Sequence, residues 1–287
     1  LDKLMMVDKY AVIGNPIAHS KSPLIHAAFA QQTGQSMSYE AILAPLDGFE
    51  NTVETLRENG YKGLNVTVPF KFEALKFASA HGKVNSFAAR AGASNTLIFN
   101  MDAGVIADNT DGVGLVNDIT NNIKFDIRHK RVLVLGSGGA AYGILQPLVE
   151  AAPDSIVIAN RTFAKAEEAA NRLAEIVQAS NSAILSLPKR FEELDGLQFD
   201  LIINSTSAGL TDTALPISDT IFAEGCLAYD MMYGRETPFM AQARRNGAQV
   251  ADGLGMLVEQ AAEAFYLWRG VHPDTKPVMD KIRALAR

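Results

Sequence analysis

The sequence predicts an α/β protein of two domains, the second of Rossmann type, and three observations carry that reading. Residues 131–141, RVLVLGSGGAA, break from a continuous apolar run into a glycine-rich turn. Strand-like and helix-like stretches alternate on both sides of that turn, the pattern of a parallel sheet with helical crossovers. A chain of 287 residues is also long enough for two ordinary domains, each with its own core.

The turn fits G-x-G-x-x-G/A at Gly136, Gly138 and Ala141. The first glycine permits the tight turn, the second lets a pyrophosphate approach backbone, and the small third residue allows close helix packing. AYGILQPLVEAA then supplies a helix whose N-terminus faces the phosphates, and SIVIA (155–159) a second strand. After that strand an NAD-binding unit carries an acidic residue for the ribose 2′-hydroxyl. Here stand Asn160, Arg161 and Thr162, with Lys165 one turn on. Arginine suits a 2′-phosphate, so the expected cofactor is NADP(H). The alternative is a solvated Arg161 that merely opens the next helix.

Twenty-six basic against 32 acidic residues leave a net charge of −6, which offers no footprint for nucleic acid or an anionic membrane. An anionic ligand must be held by local groups. The single cysteine, Cys226, excludes internal disulfides, fits a reducing cytoplasm and sits in an apolar run as a packed core thiol does. No apolar run approaches the roughly 18 residues of a membrane helix, and LDKLMMVDKY lacks a signal peptide's apolar region and cleavage site. No metal-ligand spacing stands out, and oligomeric state, monomer or homodimer, is left open.

In chain order, YAVIG (10–14) reads as a first strand. Ser22 as N-cap and Pro23 at N1 open a helix that Gly34 ends. Ser20 and Ser22 leave two hydroxyls at a helix N-terminus, a place that holds a carboxylate or serves capping alone. MSYEAIL is a second strand, a helix spans 47–59, and GLNVT (63–67) is a third strand ending in Asn65, Thr67 and Lys71, where α/β sheets bind ligands. A helix over 71–80 precedes a hairpin of TLIFN and GVIA, framed by Asn95 and by Asp108 to Asp111. Asp111 either caps the next helix or serves a site, and Gly112 and Gly114 admit a close backbone or ligand. After the helix from 163, SAILS (182–186), FDLIIN, CLAYD and AQVADG continue the strands. The loop Asn204 to Gly209, with Thr206, lies where a nicotinamide is expected. Gln260, inside the apolar helix GLGMLVEQAAEAFYLW, needs partners in the core or on a ligand.

Together GNPIAHSKSP, NVTVPFK, GASNTL, DNTDGVG, GSGGAA, NRT, NSTSAG, YDMMY and GLGMLVEQAAEAF resemble the shikimate dehydrogenases over nearly the full chain. The sequence departs from that pattern at Ala27, where asparagine is expected, and over Gly234 to Glu236, which lack a proline. The resemblance implies NADPH-dependent, reversible reduction of 3-dehydroshikimate to shikimate in aromatic amino-acid biosynthesis. It implies Lys71 and Asp111 as catalytic pair. Ser20, Ser22 and Tyr233 would hold the substrate carboxylate, and Asn65, Thr67, Asn95 and Gln260 the ring hydroxyls. Gly136, Ser137, Gly138, Gly139, Ala140, Asn160, Arg161, Thr162 and Lys165 would bind NADP, with Thr206, Met231 and Gly253 toward the nicotinamide. It also implies that the C-terminal helix returns to the first domain, so that 1–111 plus 254–287 bind substrate, 112–253 bind NADP, and a cleft lies between them. The chemistry agrees: hydride delivery to a ketone leaves an oxyanion that needs a positioned proton donor, and a lysine beside a carboxylate supplies one. The competing readings are an NAD-dependent quinate/shikimate dehydrogenase, against which Arg161 argues, and a silent NADP-binding regulator, against which Lys71 and Asp111 argue.

Overall fold

Apolar runs bounded by turn residues become the strands of two six-stranded sheets in the computed structural model, which describes residues 7–285. The stretch 1–6, part of the segment read as lacking a signal peptide, lies outside the described residues. The chain divides into two compact units, one of the described residues through Gly114 with Val258–Leu285, the other Leu115–Leu257.

In the first unit, strands β1 (Asp8–Gly14), β2 (Met37–Leu43) and β3 (Tyr61–Val66) alternate with helices α1 (Ser22–Thr33) and α2 (Phe49–Glu58). Then come α3 (Lys71–His81), β4 (Gly82–Val84), α4 (Ser86–Ala91), β5 (Thr96–Asn100) and β6 (Gly104–Asp108). The sheet order is β2-β1-β3-β5-β6-β4. β1 runs parallel to both neighbours, but β5 is antiparallel to β3 and β6, because the 96–108 segment is a hairpin and a hairpin reverses direction. The ends of β3, β5 and β6 are thereby brought side by side. Ile13, Val53, Leu64, Phe70 and Leu97 belong to the core beneath.

One sequence expectation, Ser22 as the N-cap of the first helix, is corrected here. Helix α1 starts at Ser22 itself, with Lys21 in the cap position and the Ser22 backbone N–H donating to Ser20 Oγ at 3.3 Å. The hydroxyl that turns this terminus is therefore that of Ser20. The spacer between Lys71 and Asn95 is filled by β4 and α4, which carry too few residues to show a period in sequence.

Helix α5 (Asp111–Asn117) and a π turn at Asp118–Asn122 lead to the second sheet. Its strands are β7 (Arg131–Leu135), β8 (Ser155–Ala159), β9 (Leu185–Lys189), β10 (Phe199–Asn204), β11 (Phe222–Asp230) and β12 (Gln249–Ala251). All are parallel in the order β12-β11-β10-β7-β8-β9. Taken from β9, this is the doubly wound Rossmann order, whose direction reverses between β7 and β10. Helices α6 (Gly139–Glu150), α7 (Phe163–Ala179) and α8 (Pro238–Arg245) lie between the strands in sequence. Strand β9 begins three residues later than SAILS and contains Pro188, which an edge strand tolerates because one side of it has no ladder to break. Helices α9 (Leu254–Arg269) and α10 (Lys276–Leu285) close the chain, and no helix among the described residues is long and apolar enough to cross a membrane. Cys226 is fully buried in β11, and burial pushes its thiol up to about 12, as for an inert core cysteine.

Within the first unit, Trp268 of α9 donates from Nε1 to the Leu97 carbonyl at 3.1 Å. A Cβ on Gly63 would stand 2.3 Å from that nitrogen and 2.8 Å from the carbonyl. Gly63→Ala is expected to lose roughly 1–3 kcal/mol through overpacking, read as a lower urea midpoint at unchanged m-value.

Candidate active site

The lysine that opens α3 meets the carboxylate that opens α5: Lys71 Nζ lies 2.6 Å from Asp111 Oδ2. Both remain partly accessible, with 31% of the lysine side chain and 19% of the aspartate exposed. The pair is thus sheltered yet open to a ligand, as a proton-transferring pair must be. The other Asp111 oxygen accepts from Asn95 Nδ2 at 2.9 Å, which fixes the carboxylate plane.

Asn95 is itself buried, one residue before β5. Its second amide hydrogen is shared between Thr110 Oγ1 at 2.9 Å and Gln260 Oε1 at 3.2 Å, while its Oδ1 accepts from Thr110 N at 2.9 Å and Thr96 Oγ1 at 2.9 Å. Gln260 comes this close because α5 has glycine opposite it: a Cβ on Gly114 would sit 2.6 Å from the Gln260 nitrogen. Close approach of backbone is therefore what that glycine serves. Asn65, buried in β3, donates from Nδ2 to the Asn95 carbonyl at 3.2 Å and Thr96 Oγ1 at 3.1 Å. Thr67 sits one residue past β3, its backbone N–H bonded to Ile13 O at 2.9 Å. Lys71, Asp111, Asn65, Asn95 and Gln260 thus form one connected polar constellation, and Ser20 and Ser22 stand at the N-terminus of α1 in the same unit.

Sequence reasoning passed over two neighbours of this constellation, Tyr39 and His26. The Tyr39 hydroxyl lies 2.8 Å from Asn65 Oδ1. The His26 ring is fully buried and stacks on Tyr39 with centroids 4.1 Å apart and planes 11° from parallel. Burial drives the His26 imidazole down to about 3, only partly offset by the nearby Asn65 amide. Neither ring nitrogen reaches hydrogen-bonding geometry with a partner among the described residues. A histidine within the first turns of a helix is an ordinary surface residue by its spacing alone, so nothing local marked it out.

In the second unit, Gly136 has φ +100°, the left-handed conformation the turn requires. A Cβ built on Gly138 or Gly139 would meet nothing within 4 Å, so the backbone ahead of α6 is open to a bulky anion. Ala141 is fully buried under the helix. Beside the turn, Ser205 donates from its backbone N–H (2.9 Å) and hydroxyl (2.8 Å) to the Leu135 carbonyl, drawing the β10 loop against the glycine turn at the point where strand order reverses. Asn160 Nδ2 donates to the buried Ser137 Oγ, tying the end of β8 to the same turn. Arg161, Thr162 and Lys165 are exposed, and neither cation is in an ion pair among the described residues. They are free to receive a phosphate. This donor set fits NADP(H): open backbone before a helix for the pyrophosphate, and unneutralised cations where a 2′-phosphate would lie.

The loops that carry Thr206, Met231 and Gly253 gather near Asp230, fully buried at the end of β11. It accepts from Asn204 Nδ2 (3.1 Å), Thr237 Oγ1 (2.6 Å) and Met232 N (2.9 Å). Thr206 Oγ1 in turn donates to Asn204 Oδ1 at 2.7 Å. Gly253 donates to Met232 O at 2.9 Å, and a Cβ there would strike Met231 O at 2.2 Å. Tyr233 is exposed after β11 and belongs to this unit, its phenol raised by partial burial. Away from these groups, the carboxylates of Glu50 and Glu54 lie within 4.8 Å of each other and of a His81 nitrogen, and both glutamates are exposed as solvated surface acids are.

Comparison with known proteins points one way. Residues 12–97 match the shikimate dehydrogenase substrate binding domain, residues 118–211 the shikimate/quinate 5-dehydrogenase family, and residues 253–283 the shikimate 5′-dehydrogenase C-terminal domain. A curated relative from Methylobacillus flagellatus, named shikimate dehydrogenase (NADP(+)), is 57% identical over 280 residues, covering 97% of this chain and 100% of its own. Among solved structures, an Ael1 enzyme from Pseudomonas putida is 45% identical with a TM-score of 0.88, covering 96% of this chain and 97% of its own. Shikimate 5-dehydrogenase from Thermus thermophilus, solved with NADP(H) and shikimate, is 30% identical with a TM-score of 0.82, covering 98% of this chain and 100% of its own.

The buried neutral imidazole has a consequence for acid stability. In the unfolded chain His26 titrates near 6.5, in the folded chain near 3, so the unfolded state binds more protons between those values. Its contribution is intact above pH 6.5 and is lost as pH falls toward 3, at up to about 1.4 kcal/mol per pH unit. Urea unfolding at pH 7, 6, 5 and 4 should show a steeper decline for the natural protein than for His26→Phe, which keeps a ring but carries no titrating nitrogen. Parallel curves would mean that His26 is protonated in the folded state.

Proposed function

Because the chain belongs to the shikimate dehydrogenase family, we propose that Lys71 and Asp111 are the pair that moves the proton in its reaction. It is an NADP-dependent oxidoreductase that interconverts 3-dehydroshikimate and shikimate, a step of aromatic amino-acid biosynthesis. The observation that carries the assignment is the 2.6 Å contact between a lysine and an aspartate that are both still accessible. NADPH, when bound, supplies the hydride. Lys71, as an ammonium, holds the proton that the carbonyl oxygen takes up, so that charge does not build on that oxygen. Asp111 orients Lys71 and accepts a substrate hydroxyl, its own plane fixed by Asn95. In the reverse direction Lys71 receives the proton of the alcohol.

Substrate recognition follows from the same inventory. Asn65, Thr67, Asn95 and Gln260 offer amide and hydroxyl groups to ring hydroxyls, and an analogue lacking one of those oxygens would forgo that contact. Ser20 and Ser22, at the N-terminus of α1, and Tyr233 hold the carboxylate. We assign 1–111 plus 254–287 to the substrate and 112–253 to NADP. Gly136, Ser137, Gly138, Gly139 and Ala140 take the pyrophosphate, Asn160, Arg161, Thr162 and Lys165 the 2′-phosphate, and Thr206, Met231 and Gly253 the nicotinamide side. The lone buried thiol fits a cytoplasmic enzyme, working as a monomer or homodimer.

Consumption of reduced cofactor, followed by absorbance with 3-dehydroshikimate, 3-dehydroquinate or no substrate and then with NADH, tests the reading. Lys71→Ala should lower kcat by about 100-fold or more while NADPH still binds. Unchanged kcat with a higher KM would make Lys71 a substrate-positioning residue. Arg161→Ala should weaken NADPH binding by at least about tenfold, the loss of a charge-assisted pair, and leave NADH nearly untouched. Equal losses for both cofactors would remove Arg161 from 2′-phosphate recognition.

A further inference from the structure

The polarity of the Asn65 amide is settled by its neighbours. The Asn95 carbonyl can only accept, so the group facing it at 3.2 Å must be Nδ2. Thr96 Oγ1 takes the second amide hydrogen at 3.1 Å. Both donors of Asn65 are therefore spent inside the protein, and its Oδ1 is turned to the Tyr39 hydroxyl, which must donate. What Asn65 retains for a ligand is one lone pair on Oδ1.

Tyr39 reaches Asn65 across an intervening strand. In the order β2-β1-β3, Tyr39 is paired with Tyr10 and Asn65 with Val12, so the phenol spans β1 to meet the amide. Such a reach needs the ring to be held. His26 of α1 provides the hold by lying flat on it at 4.1 Å, while Phe265 and Trp268 of α9 pack around the imidazole with centroids at 6.2 and 5.4 Å. The imidazole makes no hydrogen bond to any described residue, so its use here is as a flat, uncharged plate. Burial keeps it neutral, consistent with that use.

We infer that Tyr39, clamped by His26, is a positioning residue for the substrate: it locks Asn65 with its carbonyl oxygen as the acceptor of a substrate hydroxyl. This rests on the reading of Asn65 as a substrate contact. Without the Tyr39 hydroxyl the two Nδ2 bonds still set which way the amide faces, but Oδ1 loses the donor that steadies it, and the substrate hydroxyl meets an acceptor held less firmly in place. The effect belongs to substrate binding and not to proton transfer at Lys71.

Steady-state kinetics and NADPH fluorescence titration on Tyr39→Phe, Asn65→Ala and the double variant test it. Tyr39→Phe is expected to raise KM for shikimate about tenfold, the scale of one polar contact, with kcat changed less than about threefold and NADPH affinity unchanged. The double variant should be little worse than Asn65→Ala alone, since Tyr39 acts chiefly through Asn65, the Ser22 hydroxyl being the other side-chain partner of the phenol. His26→Phe, which keeps the plate, should hold KM near that of the natural protein, and His26→Ala should raise it as Tyr39→Phe does. A natural KM in Tyr39→Phe, or multiplicative losses in the double variant, overturns the inference. Should Asn65→Ala itself leave KM unchanged, the substrate contact falls, and the inference falls with it for that separate reason.

Discussion

A buried asparagine cannot leave its amide unpaired, and the way Asn95 meets that requirement organises the first unit. Its backbone carbonyl accepts from Val66 N at 2.8 Å and its backbone N–H donates to Asp108 O at 3.2 Å, so it belongs to the sheet. Its side chain then reaches out of the sheet to Thr110, Asp111 and Gln260. One residue thus couples β3, β6, α5 and α9. An unsatisfied buried amide costs a few kcal/mol, so the segments that satisfy it are held to positions set by hydrogen-bond length. The Lys71–Asp111 geometry inherits that accuracy, because Asp111 is gripped through the same amide.

Asp230 does comparable work in the second unit. A fully buried carboxylate with three donors gathers the loop after β10, the loop after β11 and the start of α8, whose cap residue Thr237 is one of those donors. Flanking it, Asn204 passes the constraint on to Thr206. The two units share a strategy: well-paired polar residues hold the loops, and Asn65, Asn95 and Gln260 among them are assigned to a ligand beside residues that keep free capacity. Arg161, Lys165, Thr67 and the open glycines of the phosphate turn are all of that second kind.

Close approaches enforced by glycine complete the picture. Gly114 opposite Gln260 and Gly253 opposite Met231 each stand where a single methyl group would collide with backbone. In both cases the glycine lies beside a residue of the assigned site. Their role is steric admission and not turn geometry, since neither has a positive φ.

What could be read from the chain alone was what depends on local backbone and adjacent strands. The phosphate turn is one case: Gly136 needs φ +100°, and only a few residues on either side decide that the turn joins a strand to a helix. Arg161 is another, since its place just past β8 is set by the strand next to β7 in both sequence and sheet. The pairing of Lys71 with Asp111 was legible only through family resemblance, because the two are 40 residues apart and no period links them. The hairpin of β5 and β6 and a strand near β9 were legible, but the pairing of β5 with β3, the short β4 and α4, and the run of β9 through Pro188 were not, being fixed by which strand lies at an edge and which in the middle. Tyr39 and His26 were invisible for the same reason. Their partnership with Asn65 exists only because β1 lies between β2 and β3 and α1 packs beside them, and sheet order is decided by long-range packing that no window of sequence contains.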